Sequence, residues 1–377
     1  MEEKLNIMRL ANCRGINKRV IIGLIARNGF SIEKTLENIS RFKSPVVVPG
    51  RNEVEDDLMR SEEKGIKIIT FREREYPKRL MDVGSFPLVL HCRGNIGLLD
   101  AKKPIAIIGS RNSSVNNYEF AKKTARELEE YGYTVISGMA KCIDAAAHAG
   151  ALKTGTAAVL GSGVDYIYPE ENTRLYYDII KNGGLIVSEY KTGTRPLSEF
   201  FPQRNRIIAG LSKGVVVICA GEHSGTKITV SIALECGREA MVFPSCPYDD
   251  RGAGSNEMLK EGATLVTCTE DIVETMETFL GRKKIARERD EITEDNELVD
   301  EIPADNEDEI LLSKLDYIPL SFDSFLRSCE NDERLKKNKR ENIISLVVKW
   351  DLEEKIVFSE GKISLRIDPP PTETTRL

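Results

Sequence analysis

Seven short apolar runs punctuate the middle of the chain, at 105–108, 133–136, 156–160, 184–187, 214–219, 240–243 and 263–267. Runs this short, stopped by Gly, Pro or small polar residues, predict strands buried on both faces, as in a parallel sheet. Between most of them apolar positions recur at helical spacing, near 118–131, 142–153, 172–182, 203–211 and 226–236. Strands alternating with helices imply right-handed crossovers. The expected fold class is therefore α/β, with an extended Rossmann-like, mostly parallel sheet over residues 66–280. Within it, 66–103 supply bridging strands at Ile66–Thr70 and Pro87–Leu90.

The flanks follow other patterns. In residues 1–65, Leu5, Ile7, Met8 and Leu10 precede the turn Asn12–Asn17, and Val20, Ile21, Leu24 and Ile25 follow it at helical spacing. A further helix is expected over 52–65. This predicts a small helical domain of a degenerate helix-hairpin-helix kind, a unit that binds DNA backbone or simply packs; packing is the favoured role. Residues 310–366 predict helices near 310–315, 321–328 and 341–353, then strands at 355–358 and 362–365 around Glu360-Gly361, as in a small winged helix. Residues 281–309 read as an acidic linker and 367–377 as a tail.

Charge changes this picture once. The net charge of −6 argues against a nucleic-acid partner, but residues 290–309 carry eleven Asp or Glu and no Lys or Arg. Without that segment the chain is net positive, so overall charge does not decide the partner. The eight cysteines are scattered without a C-x-x-C pair, beside only three histidines, which predicts reduced thiols and no metal site. No apolar run approaches the ~20 residues that span a bilayer, and no signal pattern opens the chain, so a cytoplasmic location is expected.

Ligands of open α/β sheets bind beyond the carboxyl ends of the strands. Those ends deliver Gly109, Ser110 and Arg111, then Ser137, Gly138 and Lys141, then Gly161. They continue with Phe200, Phe201, Arg204, Asn205 and Arg206, and finally Ser224, Gly225, Thr226 and Lys227. Small residues, hydroxyls and cations on one rim suit an extended polyanion, with backbone N–H groups and helix dipoles facing phosphate. Catalysis is less well served. His148 sits in an apolar helix, Asp144 stands where a cap or buried pair is expected, and Glu189 is the other candidate acid. Neither a hydrolytic triad nor a P-loop spacing is present.

Several long segments carry a resemblance. They are Ile-Ile-Gly-Ser-Arg (107–111), Ser-Gly-Met-Ala-Lys-Cys-Ile-Asp-Ala-Ala-Ala-His (137–148) and Gly-Ser-Gly-Val-Asp-Tyr-Ile-Tyr-Pro-Glu-Glu-Asn (161–172). Phe-Pro-Gln-Arg-Asn-Arg-Ile-Ile-Ala-Gly-Leu-Ser (201–212), Ser-Gly-Thr-Lys-Ile-Thr (224–229) and Gly-Ser-Asn-Glu-Met-Leu-Lys-Glu-Gly-Ala (254–263) continue it. In that order they closely resemble the DNA-processing protein A family (DprA, also called Smf).

The resemblance implies single-stranded DNA binding without a cofactor or catalysis. It further implies loading of the RecA recombinase in natural transformation and recombination, with displacement of single-strand-binding protein and a homodimeric state. Carried onto this chain, Gly109, Ser110 and Arg111 would form the phosphate turn, and Ser137, Gly138 and Lys141 a second wall. Phe200 or Phe201 would stack on a base, Arg204 and Arg206 would hold backbone, and Ser224–Lys227 would close the pocket. Arg206 has an even alternative as the partner of an internal acid.

The chain departs from the family pattern with Lys141 for Arg, Cys142 for Gly, Lys227 for an apolar residue, Ser245 for Gly, and Val115-Asn116-Asn117 for Tyr-Gly. The competing reading is a nucleotide-processing hydrolase of the phosphoribohydrolase kind, or a nucleotide sensor.

Overall fold

A computed structural model of the chain describes residues 2–41 and 46–281, together with the backbone of three short strands at 320–321, 356–359 and 362–365. Two compact units result, Met1–Arg287 and Glu288–Leu377. The first opens with helices α1 (Glu2–Ala11), α2 (Lys18–Arg27), α3 (Ile32–Ser40) and α4 (Arg51–Glu63). The side chains of Asn17 and Ser31 cap α2 and α3 by accepting the N–H groups of Arg19 and Lys34, which satisfies donors that the first helical turn leaves unpaired.

The sheet begins with β1 (Lys67–Thr70) and β2 (Val89–Gly94). It continues as β3 (Pro104–Ile108), α5 (Val115–Glu130), β4 (Thr134–Ser137), α6 (Ile143–Gly150), β5 (Ala157–Val159), α7 (Thr173–Lys181) and β6 (Leu185–Ser188). The second half is α8 (Phe200–Leu211), β7 (Gly214–Val217), α9 (Thr226–Glu235), β8 (Glu239–Val242), α10 (Ala253–Lys260) and β9 (Thr264–Leu265), then a helix over 269–281. All seven apolar runs of the central region become strands. Nine strands form one sheet in the order β1-β2-β6-β5-β4-β3-β7-β8-β9. β3 to β9 pair in parallel, whereas β1–β2 and β2–β6 are antiparallel. The strands read as a bridge therefore lengthen the sheet itself, beyond β6.

Alternation along the strands explains the layers. Ile105 and Ile107 of β3, with Val216 and Ile218 at β7, join Leu128, Ala146 and Ile143 of α5 and α6 in one cluster. Ala106 and Ile108, with Val215 and Val217, face the opposite way into a cluster holding Ile207 and Val230 of α8 and α9. Successive side chains of a strand point to opposite faces, so both must be apolar when both are covered. Each fully buried aliphatic side chain contributes about 1.5–3 kcal/mol. That second cluster also holds Leu5, Ile21, Leu36 and Val54. The core thus crosses residue 65 without a break, and the N-terminal helices pack, as favoured from their sequence.

In the second unit the strands at Leu320–Ser321, Ile356–Ser359 and Lys362–Leu365 form an antiparallel sheet with Lys362–Leu365 in the middle. This includes the expected ribbon around Glu360-Gly361. Ser321, expected to open a helix, lies in a strand, and Gly281, expected to open the linker 281–309, ends a helix. The rest of that linker, the helices expected at 310–315 and 341–353, residues 322–328 and the tail 367–377 lie outside the described residues.

Candidate functional site

From β3 the chain steps outward through β4 and β5 to β6, then α8 carries it back to β7 on the other side of β3. The carboxyl ends of β3 and β7 are thus the point where the strand order reverses, where such sheets leave a crevice. A cleft of about 730 Å³ opens there. Its walls include Gly109, Ser110 and Arg111 after β3, Phe201, Arg204 and Asn205 of α8, and Ser224, Gly225 and Thr226 at the start of α9. A smaller hollow beside it adds Gly138 and Lys141.

Arg111 is exposed. Its guanidinium lies 5.0 Å from the centre of the Phe201 ring, and among the described residues it makes no ion pair. Phe201 in turn lies 5.5 Å from Tyr168. α9 begins at the cleft; Ser224 Oγ accepts its Thr226 N–H at 3.2 Å, and the helix dipole adds positive potential there. An unpaired planar cation resting on an aromatic, beside a helix N-terminus, suits a ligand with phosphates and flat rings.

The glycines also make room for other side chains of the protein. A Cβ on Gly109 would come within 2.7 Å of the Ile143 side chain, and one on Gly161 within 3.0 Å of the Phe201 ring. One on Gly138 would overlap the Arg204 guanidinium. Each glycine admits a neighbouring side chain of the protein and so shapes the cleft from behind.

Arg204 is 3% exposed. Its Nη1 donates to the carbonyls of Gly138 and Val159, at the ends of β4 and β5, and its Nε donates to Asn205 Oδ1 at 3.2 Å. Asp144 accepts the N–H groups of Gly138 (3.1 Å) and Ala140 (3.3 Å). Burial pulls Arg204 down to about 10 and pushes the Asp144 carboxyl up, while the two opposite charges partly restore each other. Together they pin the 138–141 loop that forms one wall.

Five of the residues expected at the site do not line either hollow. Ser137 is buried and donates to Ile107 O at 2.6 Å, which ties β4 to β3. Gly161 lies behind Phe201. Phe200 stacks on Tyr190 with centroids 4.2 Å apart, because adjacent helical positions point about 100° apart and only one can face the cleft. Arg206 turns to the buried carboxylate of Glu189 at 2.5 Å, the internal-acid alternative. Lys227 pairs with Glu257.

The cleft also includes Asn112, Tyr168, Ser198 and His223, which sequence reasoning did not select. All four lie in strand-end loops, the one available signal. The acids weighed for catalysis are both engaged, Asp144 by two amides and Glu189 by Arg206 and Lys18. His148 is fully buried with Nδ1 2.9 Å from Thr156 Oγ1, and burial lowers it to about 3.

Cys142 has φ 67° and ψ −106°, a left-handed region that suits glycine, the residue the family pattern places there. A non-glycine residue so placed is strained by about 1–3 kcal/mol. Cys142→Gly is expected to raise stability by about 1 kcal/mol after glycine's extra unfolded-state entropy is subtracted. Denaturant unfolding measures it; an unchanged or lower midpoint contradicts the strain.

Comparison with known proteins places this geometry. The family model described as DNA recombination-mediator protein A matches residues 67–277. The DNA processing protein DprA of Streptococcus pneumoniae is 37% identical over 245 residues, covering 64% of this chain and 86% of that protein. This chain belongs to the DNA recombination-mediator protein A family. The X-ray structure of DNA processing protein A from S. pneumoniae superposes with a TM-score of 0.58 at 30% identity, covering 71% of this chain and 95% of that one. The Helicobacter pylori DNA processing protein A, whose structure describes that protein's single-stranded DNA binding mode, gives a TM-score of 0.51 at 29% identity. It covers 56% of this chain and 96% of that one. The family match begins at β1 and ends in the helix over 269–281, so it contains every wall of the cleft. Among the described residues no helix is long and apolar enough to cross a membrane.

Proposed function

We propose that this family member binds single-stranded DNA along the cleft between β3 and β7. We further propose that it hands the strand to the RecA recombinase in transformation, as a homodimer, displacing single-strand-binding protein and catalysing no step itself. The observation that carries the site is Arg111, exposed, without an ion-pair partner and resting on Phe201 at the mouth of the cleft. Phosphate would take the guanidinium and the N-terminus of α9, and bases would stack on the aromatic without regard to sequence.

The hydrolase reading needs an acid free to act on substrate, and both Asp144 and Glu189 are tied into the fold. Asp144 supports the loop wall, and Glu189 pairs with both Arg206 and Lys18.

Fluorescence anisotropy of labelled poly-dT across a salt series tests the site. Arg111→Ala is expected to weaken binding about tenfold and to reduce the salt slope by about one. Equal binding by wild type and variant would remove the strand from this cleft.

A further inference from the structure

The following inference rests on the single-strand reading above. Arg111, Phe201 and Tyr168 form a partition with a hollow on each side. One side is the main cleft; the other, of about 170 Å³, is lined by Gly138, Met139, Ala140, Lys141 and Pro169 as well as the partition. Tyr168 borders both hollows. It is 46% exposed, and its ring is tilted 39° to that of Phe201.

The segment that carries Tyr168 is held firmly. Asn172 Nδ2 donates to Met139 O at 2.9 Å and to Ala140 O at 3.3 Å, and Ser162 Oγ donates to Tyr166 O at 2.9 Å. An exposed ring on a fixed backbone gives up little freedom when a base stacks on it. Lys141 sits at the mouth of the smaller hollow, and its ion-pair partner is Glu171, with both side chains more than half exposed. Exposed pairs contribute little in water, so an arriving phosphate can take the ammonium from the carboxylate. The displaced carboxylate then remains beside the new anion and repels it.

We propose that Tyr168 is a second base-stacking platform, and that a strand held at Arg111 continues over it to Lys141. There Glu171 is a built-in competitor for phosphate that holds affinity down. The main cleft alone would accept a nucleotide or two; the partition and the second hollow make the site one for a continuous strand.

The test uses the full chain, labelled poly-dT and anisotropy over a salt series, with Arg111→Ala as reference. Tyr168→Leu is expected to weaken binding about tenfold and Tyr168→Phe to retain it, since stacking needs the ring and not the hydroxyl. Glu171→Gln is expected to tighten binding about threefold and steepen the salt slope by about one. Adding Lys141→Gln to Glu171→Gln is expected to abolish that gain. Thermal melting of each variant separates lost binding from lost folding, and retention by Tyr168→Phe does so independently. If Arg111→Ala weakens binding while Tyr168→Leu or Glu171→Gln leaves it unchanged, this inference falls and the cleft assignment stands. If the wild type does not bind poly-dT, both fall.

Discussion

Arg204→Met is expected to destabilise the protein by about 3–5 kcal/mol, because two buried carbonyls lose a charged donor, at about 1–3 kcal/mol or more each. The loss has three parts in one place. The carbonyls of Gly138 and Val159 lose their donor, the buried Asp144 carboxyl loses a nearby positive charge, and the guanidinium no longer packs against Gly138. Methionine matches the length of the side chain, so the experiment isolates charge and hydrogen bonding more than volume. Arg204→Lys is expected to recover part of the loss, because an ammonium lacks the planar fork that meets two carbonyls. Denaturant unfolding measures both variants, and a loss below about 1 kcal/mol for Arg204→Met would falsify a buried structural role. DNA binding is expected to fall as well, through the loosened 138–141 wall.

Glu189→Ala should have an effect of similar size, about 3–5 kcal/mol. It strands Arg206, which is 7% exposed, and frees Lys18 of α2. The two cations beside Glu189 outweigh its burial and hold its carboxyl below the ordinary glutamate range. A carboxyl that is more acidic folded than unfolded adds stability above its unfolded value of about 4.3, and that stability is lost as pH falls through the folded value. His148 acts in a different window. Its folded value of about 3 lies below its ordinary 6.5, so stability falls as pH drops from 6.5 towards 3, where only the unfolded chain takes up the proton. Unfolding midpoints from pH 7 to pH 3 are therefore expected to decline in two stages. Glu189→Gln should make the decline below about pH 4.3 less steep and leave in place the decline that His148 starts near pH 6.5. A wild-type profile that is flat from pH 7 to pH 4 would contradict the burial of His148.

The central strands were legible because the physics that makes them is local. A strand covered on both faces needs a continuous apolar run, and breakers must end it; all seven runs obey this. The gathering of the strand-end loops around one cleft was legible for the same reason, since residues after a strand's carboxyl end must lie on one edge of a parallel sheet. What stayed hidden depends on partners distant in the chain. Arg-Asn-Arg favours Arg206 over Arg204 as the partner of an internal acid, as the ion pair of Arg206 with Glu189 bears out, but it does not foretell that Arg204 meets the carbonyls of Gly138 and Val159. Phe200 and Phe201 are equally aromatic, and only the phase of α8 sends one to Arg111 and the other to Tyr190. Glycines at 109, 138 and 161 look like openings for phosphate, but the side chains that fill them come from Ile143, Arg204 and Phe201. Likewise β2 reads as a bridge until its partner β6, over ninety residues later, is known.

The reversal of strand order has a consequence in time. Arg111 and the start of α9 face one cleft, yet more than a hundred residues separate them. During synthesis β3 to β6 can pair as they emerge, but the cleft has only one side until α8 has crossed back and β7 has docked beside β3. A nascent chain that stops short of α9 therefore carries the Gly109–Arg111 turn with no opposite wall. Capacity to hold a ligand there arrives in one late event, and it reports that the crossover passing over β5, β4 and β3 has closed.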